Sequence, residues 1–504
     1  MDQEKSSYGR ILKSSSIVGG AQGVNMLLGM VRVKVAAVLL GPVGIGLVGT
    51  YLSIQSLAAT LSGLGVNSSG VRDVAEAAGT NDSERIGRTV LTLRRICWLT
   101  GLIGAILLAV FAVPLSYLTF ENSDYAWQIA LLGLSVLLGS VSAGQMALVQ
   151  GMRRIGDLAR LNILTSIAGT IIVIGFYAWL GLDGIIPSLL TLATVNLAGS
   201  FWFSRRVPVS KVAMSWRDSL LAARGLVTLG LAFMWSGLLI AMVGYTTRAL
   251  ISREIGLVAV GVFTAAFGLS GMVVNFILGA MGADFYPSLT AVSHDHQKMG
   301  DLVNQQTEIG VLLATPCLLA TLALAPWVIQ IFYTPEFAQS ADLLQWFALG
   351  CLGRVISWPM AFIILAKGSG KLFALSETLA NVLHLALIWL GLRWIGVEGV
   401  AIAFCFLYIS YTAGMVFISR YLINFHWSAT VWRLFFVLVP ISLLTMVLSR
   451  WLPIIPATIS GAVLTIFTFL FCVRGLCFRL GREHRIVQFI EKVPFSQILL
   501  SHSA

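Results

Sequence analysis

Apolar residues run along this chain in blocks of twenty or so, separated by short polar connectors, and the alternation repeats almost from end to end. A helix needs about 20 mostly apolar residues to cross a bilayer. Measured with that ruler, the pattern predicts spans near 12–40, 44–66, 90–113, 126–148, 159–180 and 185–204. After a polar break come 224–250, 256–284, 306–333, 342–365, 372–392 and 398–419, and two more follow at 432–450 and 454–473. The expected fold class is an all-α polytopic membrane protein of about fourteen transmembrane helices.

Composition agrees. Of 504 residues, 57% are hydrophobic and 11% charged, against roughly 25% charged in a soluble domain. Such a chain lacks the polar groups to cover a water-facing surface, so lipid is its solvent. The net charge of +11 would point to nucleic acid in a soluble protein. Here the bases lie in connectors, where they set topology, and no nucleic-acid partner is expected. The six cysteines lie in or beside apolar segments without paired metal or redox spacing, which makes them packing residues. The first apolar stretch passes into a second through a short Gly-rich turn, the pattern of a first span and not of a cleavable leader.

Lys and Arg choose the orientation. The N-terminus, the C-terminal tail and the even-to-odd connectors hold 26 of the 33 bases, the opposite face holds Arg253, Arg393 and Arg450, and four lie inside spans. By the positive-inside rule both termini are cytoplasmic. All connectors are short, leaving no room for a folded domain outside the membrane.

The second set of six spans echoes the first. Leu182-Asp-Gly184-Ile matches Val397-Glu-Gly399-Val, and Ser204-Arg205 matches Ser419-Arg420, both 215 residues on. Phe111-Ala-Val-Pro114 answers to Leu324-Ala-Pro326, and Leu64-Gly65-Val66-Asn67 to Met281-Gly282-Ala283-Asp284. The organisation expected is a six-helix lobe at 1–210, a second at 211–425, two added helices at 426–475 and a cytoplasmic tail at 476–504. In duplicated transporters the substrate path lies between such lobes near the midplane.

Arg32, Lys34, Arg248 and Arg354 fall inside predicted spans. Each costs roughly 2.5–3.5 kcal/mol at a helix centre if it faces lipid, so a wet cavity or an acid partner is expected. Arg32 and Arg248 lie towards span ends, where snorkelling is the alternative. Arg354 is mid-helix, and Lys34 is intermediate. Arg32 and Lys34 point about 200° apart and cannot both face one cavity. Glu377 in the eleventh span either pairs with Arg354 or serves as a protonatable coupling site, and Asp284 at the end of the eighth is a further candidate or an interfacial acid. An excess of bases over acids suits an anionic substrate such as a phosphate or diphosphate.

Other motifs carry less. Gly44-Ile-Gly46-Leu-Val-Gly49 has dinucleotide-binding spacing without the βαβ context, and its glycines are expected to make a turn and allow close helix packing. His294-Asp295-His296 has no further ligands nearby, and Lys367-Gly-Ser-Gly-Lys371 lacks P-loop spacing. No catalytic residue, metal site or cofactor is expected, and energy must come from an ion gradient or from substrate flux.

Over roughly residues 10–425 the chain resembles the Wzx-type flippases of O-antigen and enterobacterial common antigen, in the multidrug/oligosaccharidyl-lipid/polysaccharide exporter superfamily. The landmarks are Lys34-Val-Ala-Ala-Val-Leu-Leu-Gly-Pro-Val-Gly-Ile-Gly-Leu, Gly63-Leu-Gly-Val-Asn67, Thr247-Arg248-Ala-Leu, Asp342-Leu-Leu-Gln-Trp through Arg354, and Leu365-Ala-Lys-Gly to Glu377. The resemblance implies an inner-membrane flippase for an undecaprenyl-diphosphate-linked oligosaccharide, a surface polysaccharide unit, working by alternating access. It implies that Lys34, Arg248 and Arg354 hold the diphosphate-sugar head group, that Glu377 matches a family acid, and that polysaccharide polymerase and chain-length machinery are partners. The last two helices exceed the usual Wzx count and are similar to the fourteen-helix lipid II flippases. A lipid II-type or multidrug antiporter of the same superfamily is the alternative, though a drug cavity should favour acids. A glycan polymerase or ligase is a more distant one, because its catalytic outer loop has no room here.

Overall fold

The computed structural model describes residues 2–80, 82–210 and 212–480. Among these no strand occurs, as the bilayer requires of a chain that must satisfy its backbone hydrogen bonds within each segment. The helices are α1 (Asp2–Gly63), α2 (Val66–Gly79), α3 (Ser83–Val110), α4 (Ala112–Phe120), α5 (Ala126–Gly151), α6 (Ile155–Leu180), α7 (Ile185–Ser204) and α8 (Trp216–Glu254). They continue as α9 (Leu257–Ala291), α10 (His296–Ala323), α11 (Ala325–Phe332), α12 (Ser340–Ala366), α13 (Gly370–Ile395), α14 (Val397–Ile423), α15 (Ala429–Trp451) and α16 (Ile454–Leu480).

Twelve segments of the described residues are long and apolar enough to cross a membrane. Fourteen are expected from the sequence, and the difference has a physical origin. Two of the twelve, Gln22–Gly63 and Ile155–Ser204, run for 42 and 50 residues, about 63 and 75 Å of helix at 1.5 Å per residue. Each contains a break. Gly41 has φ 62° ahead of Pro42, and the chain turns so sharply that a Cβ on Gly44 would run into the Cβ of Leu40. Between α6 and α7, Gly181 takes φ 57° and a single 3₁₀ turn follows, after which α7 packs back on α6. The breaks interrupt helical geometry without interrupting the apolar run.

By packing, the chain forms two compact units. One comprises the chain up to Gly261 with Phe332–Thr334, and the other comprises Val262–Ile331 and the chain from Pro335 onward. Within the first, α3 packs on α5, α5 on α7 and α7 on α6; within the second, α10 packs on α12, α12 on α14 and α14 on α13.

The backbones agree in finer detail. Between α5 and α6 the N–H groups of Met152, Arg153, Arg154 and Ile155 donate to the carbonyls of Leu148, Gln150, Val149 and Arg153. Lys367, Gly368, Ser369 and Gly370 donate in the same order to Ile363, Leu365, Ile364 and Gly368, every atom 215 residues on. Gly181 caps α6 on Tyr177 O, and Gly396, φ 78°, caps α13 on Leu392 O, again 215 apart. A Cβ on Gly184 would strike the carbonyl of Phe176, and one on Gly399 that of Gly391, at the same offset. Phe111 and Leu324 break their helices alike, each N–H reaching back four residues at 2.9 Å.

The first unit also holds α8, which packs on α1, α2, α3 and α4. Its start is clamped by Arg95, whose Nη1 donates to Met214 O, Ser215 O and Ser219 Oγ at 3.0, 2.9 and 2.6 Å, with its guanidinium 4.7 Å over the Trp216 ring. In the second unit two ion pairs fasten the added helices. Arg479 of α16 donates to Glu308 of α10 at 2.7 Å, and Arg450 of α15 to Glu398 of α14 at 2.6 Å, with Trp346 Nε1 on the same carboxylate oxygen at 2.8 Å. Ser428, which caps α15, donates its hydroxyl to Glu308 at 3.0 Å.

Candidate functional site

Four bases and one acid within apolar helices form the candidate site, and each unit presents its own share. In the first unit Arg32 and Lys34 of α1 diverge as their spacing predicts. The Arg32 guanidinium approaches Gly169 of α6 and comes within electrostatic range of Tyr177. Lys34 Nζ instead donates to the backbone carbonyl of Tyr333 at 2.5 Å. Gly169 admits Arg32 because it has no side chain there.

Arg248 of α8 keeps part of its guanidinium on its own helix, Nη1 donating to Gly244 O at 3.0 Å. Its side chain is largely covered, so full snorkelling into headgroup water does not describe it. Asp284 belongs to α9 by its backbone, and its side chain lies outside the described residues.

The second unit gathers more. Arg354 of α12 is half-buried in mid-helix. The preceding Gly353 lets α14 come close: a Cβ there would lie 3.0 Å from the Cβ of Tyr408, and Thr412 Oγ1 reaches Gly353 O at 3.5 Å. Glu377 does not pair with Arg354. Its carboxylate accepts from Tyr411 Oη at 2.9 Å, and its backbone carbonyl accepts from Asn381 Nδ2 at 2.8 Å. Arg354 forms no ion pair with any acid among the described residues. The Tyr408 hydroxyl lies within electrostatic range of both Arg354 and Glu377.

The cluster follows from helical spacing. On α13, Glu377, Asn381 and His384 share one face at i, i+4 and i+7; on α14, Phe404, Tyr408 and Tyr411 do the same. The two helices run antiparallel, so Glu377 meets Tyr411, His384 meets Phe404 with ring centroids 6.1 Å apart, and Gly391 meets Gly399. Sequence reading found Arg354 and Glu377 because charge in an apolar run is conspicuous. It passed over Tyr408, Tyr411, His384 and Asn381, whose common signal was this matched spacing on consecutive spans.

The remaining motifs have structural roles. Asp295 Oδ1 caps α10 by accepting the Lys298 backbone N–H at 3.1 Å, which holds its carboxyl below the usual range. Gly46 packs against the backbone of Leu257, and Gly261 against that of Pro42. Among the described residues no three His, Cys, Asp or Glu side chains are grouped to hold a metal ion.

A model of the polysaccharide biosynthesis protein family matches residues 11–293, more than half of the chain. The chain belongs to that family. The resemblance to polysaccharide flippases read from its landmark residues therefore holds. Among relatives of this family member, the lipid III flippase of Escherichia coli K12 is 24% identical over 402 residues, 77% of this chain and 92% of that protein. The succinoglycan biosynthesis transport protein ExoT of Rhizobium meliloti is 24% identical over 349 residues, 68% of this chain and 66% of its own length. Among solved structures, the fold is that of an inward-facing MATE-family multidrug transporter of the MOP superfamily, with TM-score 0.65, 15% identity and coverage of 79% of this chain and 94% of the other. It is equally that of the lipid II flippase MurJ in an inward closed conformation, with TM-score 0.62, 13% identity and coverage of 92% and 99%. The polysaccharide biosynthesis family member is thus a multi-pass membrane protein with the helical fold of these transporters.

Proposed function

We propose that this protein is a flippase that carries a polyprenyl-diphosphate-linked oligosaccharide, a surface polysaccharide unit, across the bacterial inner membrane by alternating access. The observation that carries the proposal is the base-rich set of charges inside apolar helices: Lys34, Arg248 and Arg354 against Glu377. Guanidinium and ammonium groups bind diphosphate through charge-assisted hydrogen bonds, and a low-dielectric surround strengthens them. The polyprenyl tail stays in lipid, which asks nothing of the protein but an apolar flank. The two relatives named for lipid III and succinoglycan transport support the same substrate class.

In this reading Gln22–Gly63 and Ile155–Ser204 each cross twice, giving fourteen spans with both termini cytoplasmic, the side favoured by the basic connectors. The lobes are residues 1–210 and 211–425, with 426–475 an added pair and 476–504 a cytoplasmic tail. Transport is the whole activity, without catalysis by the chain. A lipid II-type substrate is the second reading, favoured by the MurJ-like fold over 92% of the chain.

The test is transport of a fluorescent lipid-linked oligosaccharide into vesicles holding the purified protein. Loss of transport in both Lys34→Ala and Arg354→Ala at normal protein levels is expected. Wild-type rates in both would overturn the head-group role.

A further inference from the structure

We infer that Glu377 and Tyr411 form a proton-binding site linked through Tyr408 to substrate occupancy of Arg354, a deepening that rests on the flippase reading above. The geometry is unusual for an acid and a base on helices that both pack on α14. They do not neutralise each other. Instead α14 places two tyrosines against them: Tyr411 Oη donates to Glu377 Oε1 at 2.9 Å, and Tyr408 stands over Gly353, next to Arg354, within range of both charges. The Tyr408 and Tyr411 rings lie 6.3 Å apart, edge to face.

The titratable groups around Glu377 are few. From α13 there is His384, two turns along the same face; from α14 Tyr408, Tyr411 and Cys405; from α12 Arg354 and Cys351. None is a second carboxylate. A metal cation such as Na⁺ or Ca²⁺ prefers a shell of several oxygens with more than one charged ligand, and the described residues hold no such group. A proton needs one carboxylate and one hydrogen-bonding neighbour, which is what Glu377 and Tyr411 supply.

The coupling has a definite sign. With Arg354 unoccupied, its positive field reaches through Tyr408 and favours the ionised Glu377, to which Tyr411 donates. A diphosphate on Arg354 cancels that field and adds negative charge nearby, so one proton passes from water to the Glu377 carboxylate. Linkage makes the effect reciprocal: protonation of Glu377 strengthens diphosphate binding. Nothing is oxidised, and the proton is the only species exchanged.

The experiment is titration calorimetry of the full-length protein in lipid nanodiscs with geranylgeranyl diphosphate. Two buffers of different ionisation enthalpy at one pH yield the protons taken up per lipid bound. The wild type should take up about half to one proton more than Glu377→Gln under identical conditions, which subtracts the titration of the diphosphate itself. Glu377→Asp should retain the uptake, and Tyr411→Phe should move its midpoint to higher pH by removing the donor to the ionised form. Equal proton counts in wild type and Glu377→Gln, with binding intact, would overturn the coupling alone. So would an affinity that depends on Na⁺ with no proton exchanged. Failure of the wild type to bind the lipid diphosphate would overturn the flippase reading and the coupling with it.

Discussion

The two repeats share a backbone and differ in what they place on it. At the turn between α5 and α6 and its counterpart between α12 and α13, four hydrogen bonds recur 215 residues apart. Yet the positions answering to Arg354, Glu377, His384, Tyr408 and Tyr411 in the first repeat are Gly139, Asn162, Gly169, Ala193 and Asn196. One repeat carries an acid, a base and two tyrosines; the other carries amides and small residues, and lets Arg32 from α1 approach the gap at Gly169. Backbone geometry is constrained by the bilayer in both halves, because every N–H and C=O needs a partner. Side chains in the span interior are free to diverge, so the chemistry sits on one side of a duplicated frame.

The comparison can be broken most sharply at Arg354. Replacing it by Ala removes charge-assisted hydrogen bonds of about 1.5–3 kcal/mol to an anionic head group, roughly a ten- to hundredfold loss of transport. The matching Gly139→Ala should leave transport within a factor of about two, since a Cβ there meets nothing within 4 Å. Equal loss in both would mean that charge at this position is not what matters.

The next effect is steric and should be symmetric. Gly399→Val and Gly184→Val each drive a side chain into a backbone carbonyl, an overpacking of about 1–3 kcal/mol or more. Both should lower the melting temperature in detergent. A fall in only one would show that the repeats pack differently at this crossing.

Glu398 and Asp183 occupy the same place in the two repeats, but Glu398 holds Arg450 and Trp346 whereas Asp183 is exposed. Glu398→Gln should cost about 1–2 kcal/mol through weakened hydrogen bonds to a charged group. Asp183→Asn should fall within about 0.5 kcal/mol of wild type, as surface changes do. Thermal melts read both, and a silent Glu398→Gln would detach α15 from this ion pair as an anchor.

The smallest effect concerns one backbone angle. Arg153 takes φ 54° where the second repeat has Gly368 at φ 69°. A side chain in that region costs about 1 kcal/mol, so Arg153→Gly should raise stability by roughly that amount and Gly368→Arg lower it. Unchanged melting in both would remove backbone strain as a difference between the halves.

Much of the frame was legible because lipid leaves a chain so few choices. Apolar run length, the spacing of Gly and Pro breaks and the 215-residue echo each carry over into helix ends, caps and glycine crossings. The in-span charges were legible for the same reason, being costly where they stand. The pairing of Glu377 was not. Arg354 and Glu377 lie on helices adjacent in sequence, and only the interposition of α14 shows that tyrosines, not the base, meet the acid. The span count shows the opposite limit: hydropathy alone joins two pairs of helices that Gly41 and Gly181 separate.

The sequence by itself determined that this chain lives in a membrane as helices, that its halves are related and that its span interiors hold more bases than acids. Those properties are local or periodic and depend on transfer from water to lipid, which each segment meets alone. The tertiary structure decided which partner each buried charge finds, that α8 packs with the first unit, and that α15 and α16 are held on α14 and α10 by Arg450 and Arg479. Such choices rest on distances between residues tens to hundreds of positions apart, which no local pattern encodes.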